Sequence, residues 1–280
     1  MAIQSFYSVY FQPAQLPLEK VVTPAISQKI VQYLATQDLT VGKCMGRGRQ
    51  GAVYALENNQ NGQVTDILKI YYSWRFKKTS EQCGAHLAES LKHPRICSPK
   101  KLFYLTPKQD IVFAPSKDSI TVGMIMPFVK GTPLKEKHQE IKQSAAQVIS
   151  FGKKLAELGN ELFQKQFSHE DLHDENILVD EDGLPVIIDL DWFQKSETLS
   201  RADYKKILEH ISGLIKASPD IDPNSKQFLQ GCFNRCHQIL NNDTLWTKNP
   251  SSKLPSLMIS FMRACNGHLD EIKAKPVSKL

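Results

Sequence analysis

No apolar run in the sequence approaches the roughly 20 residues a helix needs to cross a bilayer, so no membrane span is expected. The opening Met1-Ala2-Ile3-Gln4 lacks the charged region and apolar stretch of a secretion signal. Six cysteines, Cys44, Cys83, Cys97, Cys232, Cys236 and Cys265, are scattered without paired spacing, which argues against a disulfide framework and against a zinc site. Cys232 and Cys236 stand four apart beside His237, but with no second ligand pair they read as neighbours on one helix face. There is no internal repeat and no low-complexity tract. These absences indicate reduced thiols and a cytoplasmic protein, with export by a route that needs no such signal left open.

What is present is enough for a sizeable core. The 280 residues are 41% hydrophobic and 23% charged, which suits one large domain or a two-lobed one. A formal charge of +6 is compatible with polyanions such as nucleotides, acidic membranes or nucleic acid. Clusters such as Arg75-Phe76-Lys77-Lys78 and Lys100-Lys101 read better as ordinary solvated surface.

Hydrophobic periodicity divides the chain. Residues 1–37 form an N-terminal extension broken by Pro13, Pro17 and Pro24, with a helical stretch from Ile26 to Leu34 and no readable role. From Leu39 to Met126 short β-rich runs dominate: 53–56, 67–72, 102–105, 110–114 and 120–126. One helical stretch, Thr79 to Lys92, interrupts them and stops at His93-Pro94. After Leu134 the period becomes helical over 141–164, 200–217, 225–241 and 257–274. Between the first two of these lies a strand pair, 176–179 and 186–189, around the turn signal Asp182-Gly183. The reading is an α+β, bilobal chain: extension 1–37, β-rich lobe 38–127, mainly helical lobe 128–275 and tail 276–280, joined near Pro127 to Gly131.

Three stretches carry candidate chemistry. Gly46, Gly48 and Gly51 form GxGxxG ahead of an extended run, as in a hairpin folded over phosphates, whereas a dinucleotide fingerprint opens a helix. By itself this motif is as compatible with a plain turn. Lys69 sits among apolar residues in Ile67-Leu68-Lys69-Ile70, where a buried ammonium is costly unless paired; an outward-facing edge lysine is the alternative. The third is Ser168-His169-Glu170-Asp171-Leu172-His173-Asp174-Glu175-Asn176, followed by Asp189-Leu190-Asp191. It supplies a carboxylate to orient an acceptor hydroxyl and oxygen ligands for magnesium, the set that phosphoryl transfer needs.

Over residues 39 to 210 the chain resembles the protein-kinase-like superfamily, which includes eukaryotic-type and atypical protein kinases and the aminoglycoside and choline phosphotransferases. HxDxxxxN is present as His169, Asp171 and Asn176, and Asp189 matches the metal-binding aspartate. The resemblance implies ATP and Mg2+ as cofactors, with Asp171 as the catalytic carboxylate and Asn176 and Asp189 as metal ligands. It implies Lys69 at the phosphates under a cover of Gly46, Gly48 and Gly51, with Val53, Met126 and Phe128 around the nucleotide base. His169 and Asp203 would brace the catalytic loop, although Asp203 also suits an exposed first helical turn. His173 stands where serine/threonine kinases carry lysine, and either meets the γ-phosphate or supports the loop. The glutamate that pairs with the lysine would fall on Gly84, so Glu81 is the candidate and Glu89 its rival.

The departures matter for the substrate. Glu170 replaces the arginine before the catalytic aspartate, so a phosphorylated activation segment would lack its basic partner. Asp189-Leu190-Asp191 replaces DFG, and no APE follows. A serine/threonine-type kinase acting on protein is the leading expectation. The alternatives are a small-molecule kinase and a non-catalytic kinase-like scaffold. No nucleic-acid partner is expected.

Overall fold

The computed structural model describes residues 16–241 except 76, 79–83, 85–86, 88–90 and 92. Two compact units share the chain, Met1–Thr132 with Ile188–Phe193, and Pro133–Ile187 with Gln194–Leu280.

In the first unit α1 (Pro24–Ala35) starts where Thr23 caps it, its hydroxyl accepting from the Ile26 amide at 3.5 Å, and Pro24 occupies the first helical position. Ile26, Ile30 and Leu34 share one face of α1 and are buried in the core. The N-terminal segment, whose role the sequence leaves unread, is therefore part of this unit's core from Leu18 onward.

Seven antiparallel strands follow: β1 (Leu39–Arg47), β2 (Gly51–Asn58), β3 (Val64–Tyr71), β4 (Lys77–Lys78), β5 (Lys101–Leu105), β6 (Ile111–Val112) and β7 (Ile120–Pro127). Their order is β1-β2-β3-β7-β5-β6, with β4 also paired to β7. The expected strand over 110–114 shrinks to the two residues of β6. Period-two alternation sorts the strands onto two faces. Ala52, Tyr54, Leu56, Leu68, Ile70, Phe103, Leu105, Val122 and Ile125 join the α1 side. Val53, Ile67, Tyr71, Leu102, Tyr104, Met124 and Met126 form the opposite cluster. Of the expected helix over 79–92, Gly84 and Leu87 are helical and the rest lies mostly outside the described residues.

The second unit begins at the end of β8 (Gly131–Pro133) with α2 (Leu134–Ile141) and α3 (Ala145–Gln164). The continuous helix expected over 141–164 is interrupted, because Ser144 adopts extended geometry and caps α3 through the Gln147 amide at 3.4 Å. Asp220 satisfies another open amide there, accepting from Ala145 N at 3.0 Å. The short β9 (Phe167–Ser168) precedes the hairpin β10 (Ile177–Asp180) and β11 (Pro185–Ile187). In its turn Gly183 has φ +74°, and Asp180 Oδ1 accepts from the amides of Asp182 and Leu184. β12 (Gln194–Lys195) pairs antiparallel with β9. The helices α4 (Glu197–Ala217) and α5 (Pro223–Asn241) complete the described part, and the helix expected over 257–274 lies outside it. Leu155, Leu158 and Leu162 of α3 are buried, as are Ile207, Leu208 and Ile211 of α4, which packs against it. Among the described residues no helix is long and apolar enough to cross a membrane.

Candidate active site

In the first unit the site grows from β3. Lys69 lies between Ile67 and Tyr71 on the face that carries Val53, Met124 and Met126, and only 8% of it is exposed. Its Nζ is 2.5 Å from Asp189 Oδ1 and 2.9 Å from Asp191 Oδ2. Burial alone would push the ammonium toward neutrality. The Asp189 carboxylate, and then Asp191, outweigh that effect and raise its pKa, so Lys69 is a cation at any physiological pH.

Both carboxylates reach Lys69 because the backbone turns sharply between them. Asp189 has φ 60° and ψ 64°, a left-handed conformation that Asp tolerates better than most residues, and a single 3₁₀ turn over Leu190–Trp192 follows. The two acids differ in access: the Asp189 side chain is 41% exposed and that of Asp191 is 2% exposed. Asp191 Oδ1 also accepts from the Tyr71 hydroxyl at 2.6 Å.

The glycine stretch is the β1–β2 hairpin, with irregular pairing around Cys44 and Gly46. Gly48 N donates to Gly51 O at 2.9 Å, and a Cβ on Gly48 would meet nothing within 4 Å. Gly51 is different. A Cβ there would lie 2.0 Å from the Ile70 carbonyl oxygen, so close packing of β2 on β3 already demands glycine. Val53 and Met126 lie in one apolar cluster, with Phe128 packed against it.

In the second unit Asp171, His173 and Asn176 share one short loop. Asn176 Nδ2 donates to the Asp171 backbone carbonyl at 2.8 Å and lies 3.2 Å from His173 Nε2. His173 Nε2 is 3.9 Å from Asp171 Oδ2, and its Nδ1 accepts from the Glu175 amide at 3.2 Å. The Asp171 side chain is 55% exposed.

Asp203 of α4 is buried beneath this loop and accepts from the His169 amide, the Glu170 amide at 3.2 Å and the Ser168 hydroxyl at 2.7 Å. Of the two sequence readings of Asp203, an exposed first-turn residue does not hold, since it is 3% exposed. His169 is fully buried, and Glu170 takes φ +66° between it and Asp171.

A model of the protein kinase domain matches residues 39–208, well over half of the chain. The chain belongs to the protein kinase family. Its domain is thus that of a phosphotransferase, with a β-rich N-terminal part and a helical remainder. Among curated proteins nothing matches.

Within this kinase the sequence reading of a partner for Lys69 named Glu81, with Glu89 as rival; both lie outside the described residues. The described partners are Asp189 and Asp191. Sequence reasoning gave Asp191 and Tyr71 no role, yet a signal existed: Tyr71 is two residues after Lys69 on one strand and must share its face.

Proposed function

We propose that this kinase uses ATP and magnesium to transfer the γ-phosphoryl group to a hydroxyl, that of serine or threonine in a protein. The observation that carries the reading is the Lys69 ammonium, buried and ionised, 2.5 Å from a solvent-accessible Asp189 carboxylate.

The donor set suits the metal. Asp189 offers an accessible carboxylate, and because Asn176 Nδ2 is committed to the Asp171 carbonyl, its Oδ1 is the end left for a cation. These are hard oxygen donors of the kind Mg2+ prefers, so Asp189 and Asn176 would hold it. When bound, the ion would neutralise and orient phosphate oxygens.

Lys69 binds the α/β-phosphates as a fixed cation beneath Gly46, Gly48 and Gly51. Val53, Met126 and Phe128 provide apolar walls for the base. Asp171 accepts a hydrogen bond from the acceptor hydroxyl and takes its proton on a carboxylate oxygen. Meanwhile the new O–P bond forms and the bond from the γ-phosphorus to ADP breaks. His173 holds the loop geometry next to Asp171, while Asp203 fixes the backbone around His169 and Glu170.

One observation favours a second reading, a small-molecule acceptor. α4 starts at Glu197, so only residues 190–196 separate Asp189 from the next helix, which leaves little chain for a peptide platform. Labelled ATP with a cell extract separates the two: label in the protein fraction supports the first, label in the metabolite fraction the second. Asp171→Ala should lower transfer by about 1,000-fold. Undiminished transfer by this variant refutes the mechanism. Magnesium-dependent nucleotide binding with no transfer to either fraction supports a scaffold instead.

A further inference from the structure

Lys69 needs a lasting counter-ion if it is to bind phosphate from a buried position, and the helix expected to supply one has no room for it at Gly84. A Cβ on Gly84 would lie 2.1 Å from Phe193 N and 2.2 Å from Phe193 O, both backbone atoms. Van der Waals contact begins beyond 3 Å, so no larger residue fits there without moving the main chain. Among the described residues, the carboxylate that is close to Lys69 and closed to solvent is that of Asp191.

We infer that Asp191 is the positioning residue for Lys69, the resident counter-ion that keeps the ammonium in place while Asp189 remains accessible for the metal. The inference rests on the reading of Lys69 as the phosphate-binding cation. Three features of the geometry support the division. Asp191 Oδ2 is 2.9 Å from Lys69 Nζ. Its other oxygen is fixed by the Tyr71 hydroxyl at 2.6 Å, and Tyr71 is fully buried on the strand that carries Lys69. The exposures of 2% for Asp191 and 41% for Asp189 leave only the latter open to an incoming ligand. The lysine, its counter-ion and the group that orients the counter-ion all come from β3 and the 189–191 turn.

The test is a double-mutant cycle with Asp191→Asn, which keeps the side-chain shape, and Lys69→Met. Two readouts are taken on the full chain: kcat/KM for ATP in phosphoryl transfer, and the Tm. Asp191→Asn should lower kcat/KM by about 100-fold, as expected for loss of one partner of a buried ion pair. In the Lys69→Met background the same change should cost less than about threefold, because Asp191 acts through Lys69. A full 100-fold loss in both backgrounds overturns the inference.

The Tm cycle decides the matter independently of catalysis. The double variant should melt above Asp191→Asn alone, since the single change leaves a buried ammonium with one carboxylate fewer. Additive losses in Tm overturn the inference. If wild-type protein transfers no phosphate, the kinase reading fails while the Tm cycle still tests the pair. If Asp191→Asn does not fold, a folded double variant supports the pairing, and an unfolded one overturns it.

Discussion

Replacing Asp203 with alanine should destabilise the second unit and disorder the segment that leads into Asp171. The carboxylate is 3% exposed and accepts from two backbone amides, His169 and Glu170, and from the Ser168 hydroxyl. The hydroxyl can rotate to another acceptor, but the amides cannot. Each buried amide left without an acceptor costs about 1–3 kcal/mol. Part of that is offset, because the carboxylate's own desolvation penalty disappears with it. The net loss should be about 2–4 kcal/mol, and for a domain of this size 1 kcal/mol corresponds to about 2–4 °C in Tm. Asp203→Asn keeps one oxygen acceptor without the charge and should lose about half as much. Thermal unfolding followed by circular dichroism measures both variants, and kcat should fall with them because Glu170 holds φ +66° next to Asp171. A shift under about 2 °C for the alanine variant would show that the loop does not depend on this brace.

Gly84→Ala should lower Tm even though alanine gains about 1 kcal/mol over glycine within a helix. Its Cβ would overlap the Phe193 backbone, and overpacking against atoms that cannot rotate away costs about 1–3 kcal/mol. A higher Tm for this variant would mean the helix and the 190–193 segment are not in the contact described. His210 sets an acid limit. Burial is the main cause that lowers its pKa below the ordinary 6.5, with Asp174 and Glu209 opposing and His138 and His173 adding to it. The unfolded chain therefore binds a proton at this residue before the folded chain does, so stability falls as pH drops through 6.5 and below. Urea unfolding at pH 7.5 and pH 5.5 should show a smaller loss on acidification for His210→Gln than for wild type. Equal losses would contradict the assignment.

The order of elements was readable because the period of the hydrophobic pattern changes from two to about 3.6 where the sheet gives way to helices. Boundaries were less so. Ser144 interrupts a pattern that stays helical on both sides of it, and its extended backbone, its cap and the Asp220 carboxylate on the Ala145 amide mark where α3 begins. Lys69 was legible since an ammonium in an apolar strand must be paired, but its partners were not. They depend on the left-handed turn at Asp189, a conformation that a run of ordinary residues does not announce. Gly51 carries a constraint that the sequence does not show: besides its place in the expected phosphate cover, close packing on β3 by itself excludes a side chain there. The role of residues 18–34 was hidden because a helix face shows that it will be buried without showing against what.

The same turn accounts for how one lysine meets two acids of different accessibility. Residues two apart on an extended strand would point the same way. A left-handed residue followed by a 3₁₀ turn instead brings both carboxylates to Lys69 from different directions, with Asp189 at the surface and Asp191 beneath. Leu190, between them, is buried, which anchors the turn in apolar packing and leaves neither acid to do so. With Leu190 buried between the two acids, Leu190→Ala should weaken the hold of the turn on Lys69 and lower Tm by about 4–10 °C, although leucine carries no charge; an unchanged Tm would refute this.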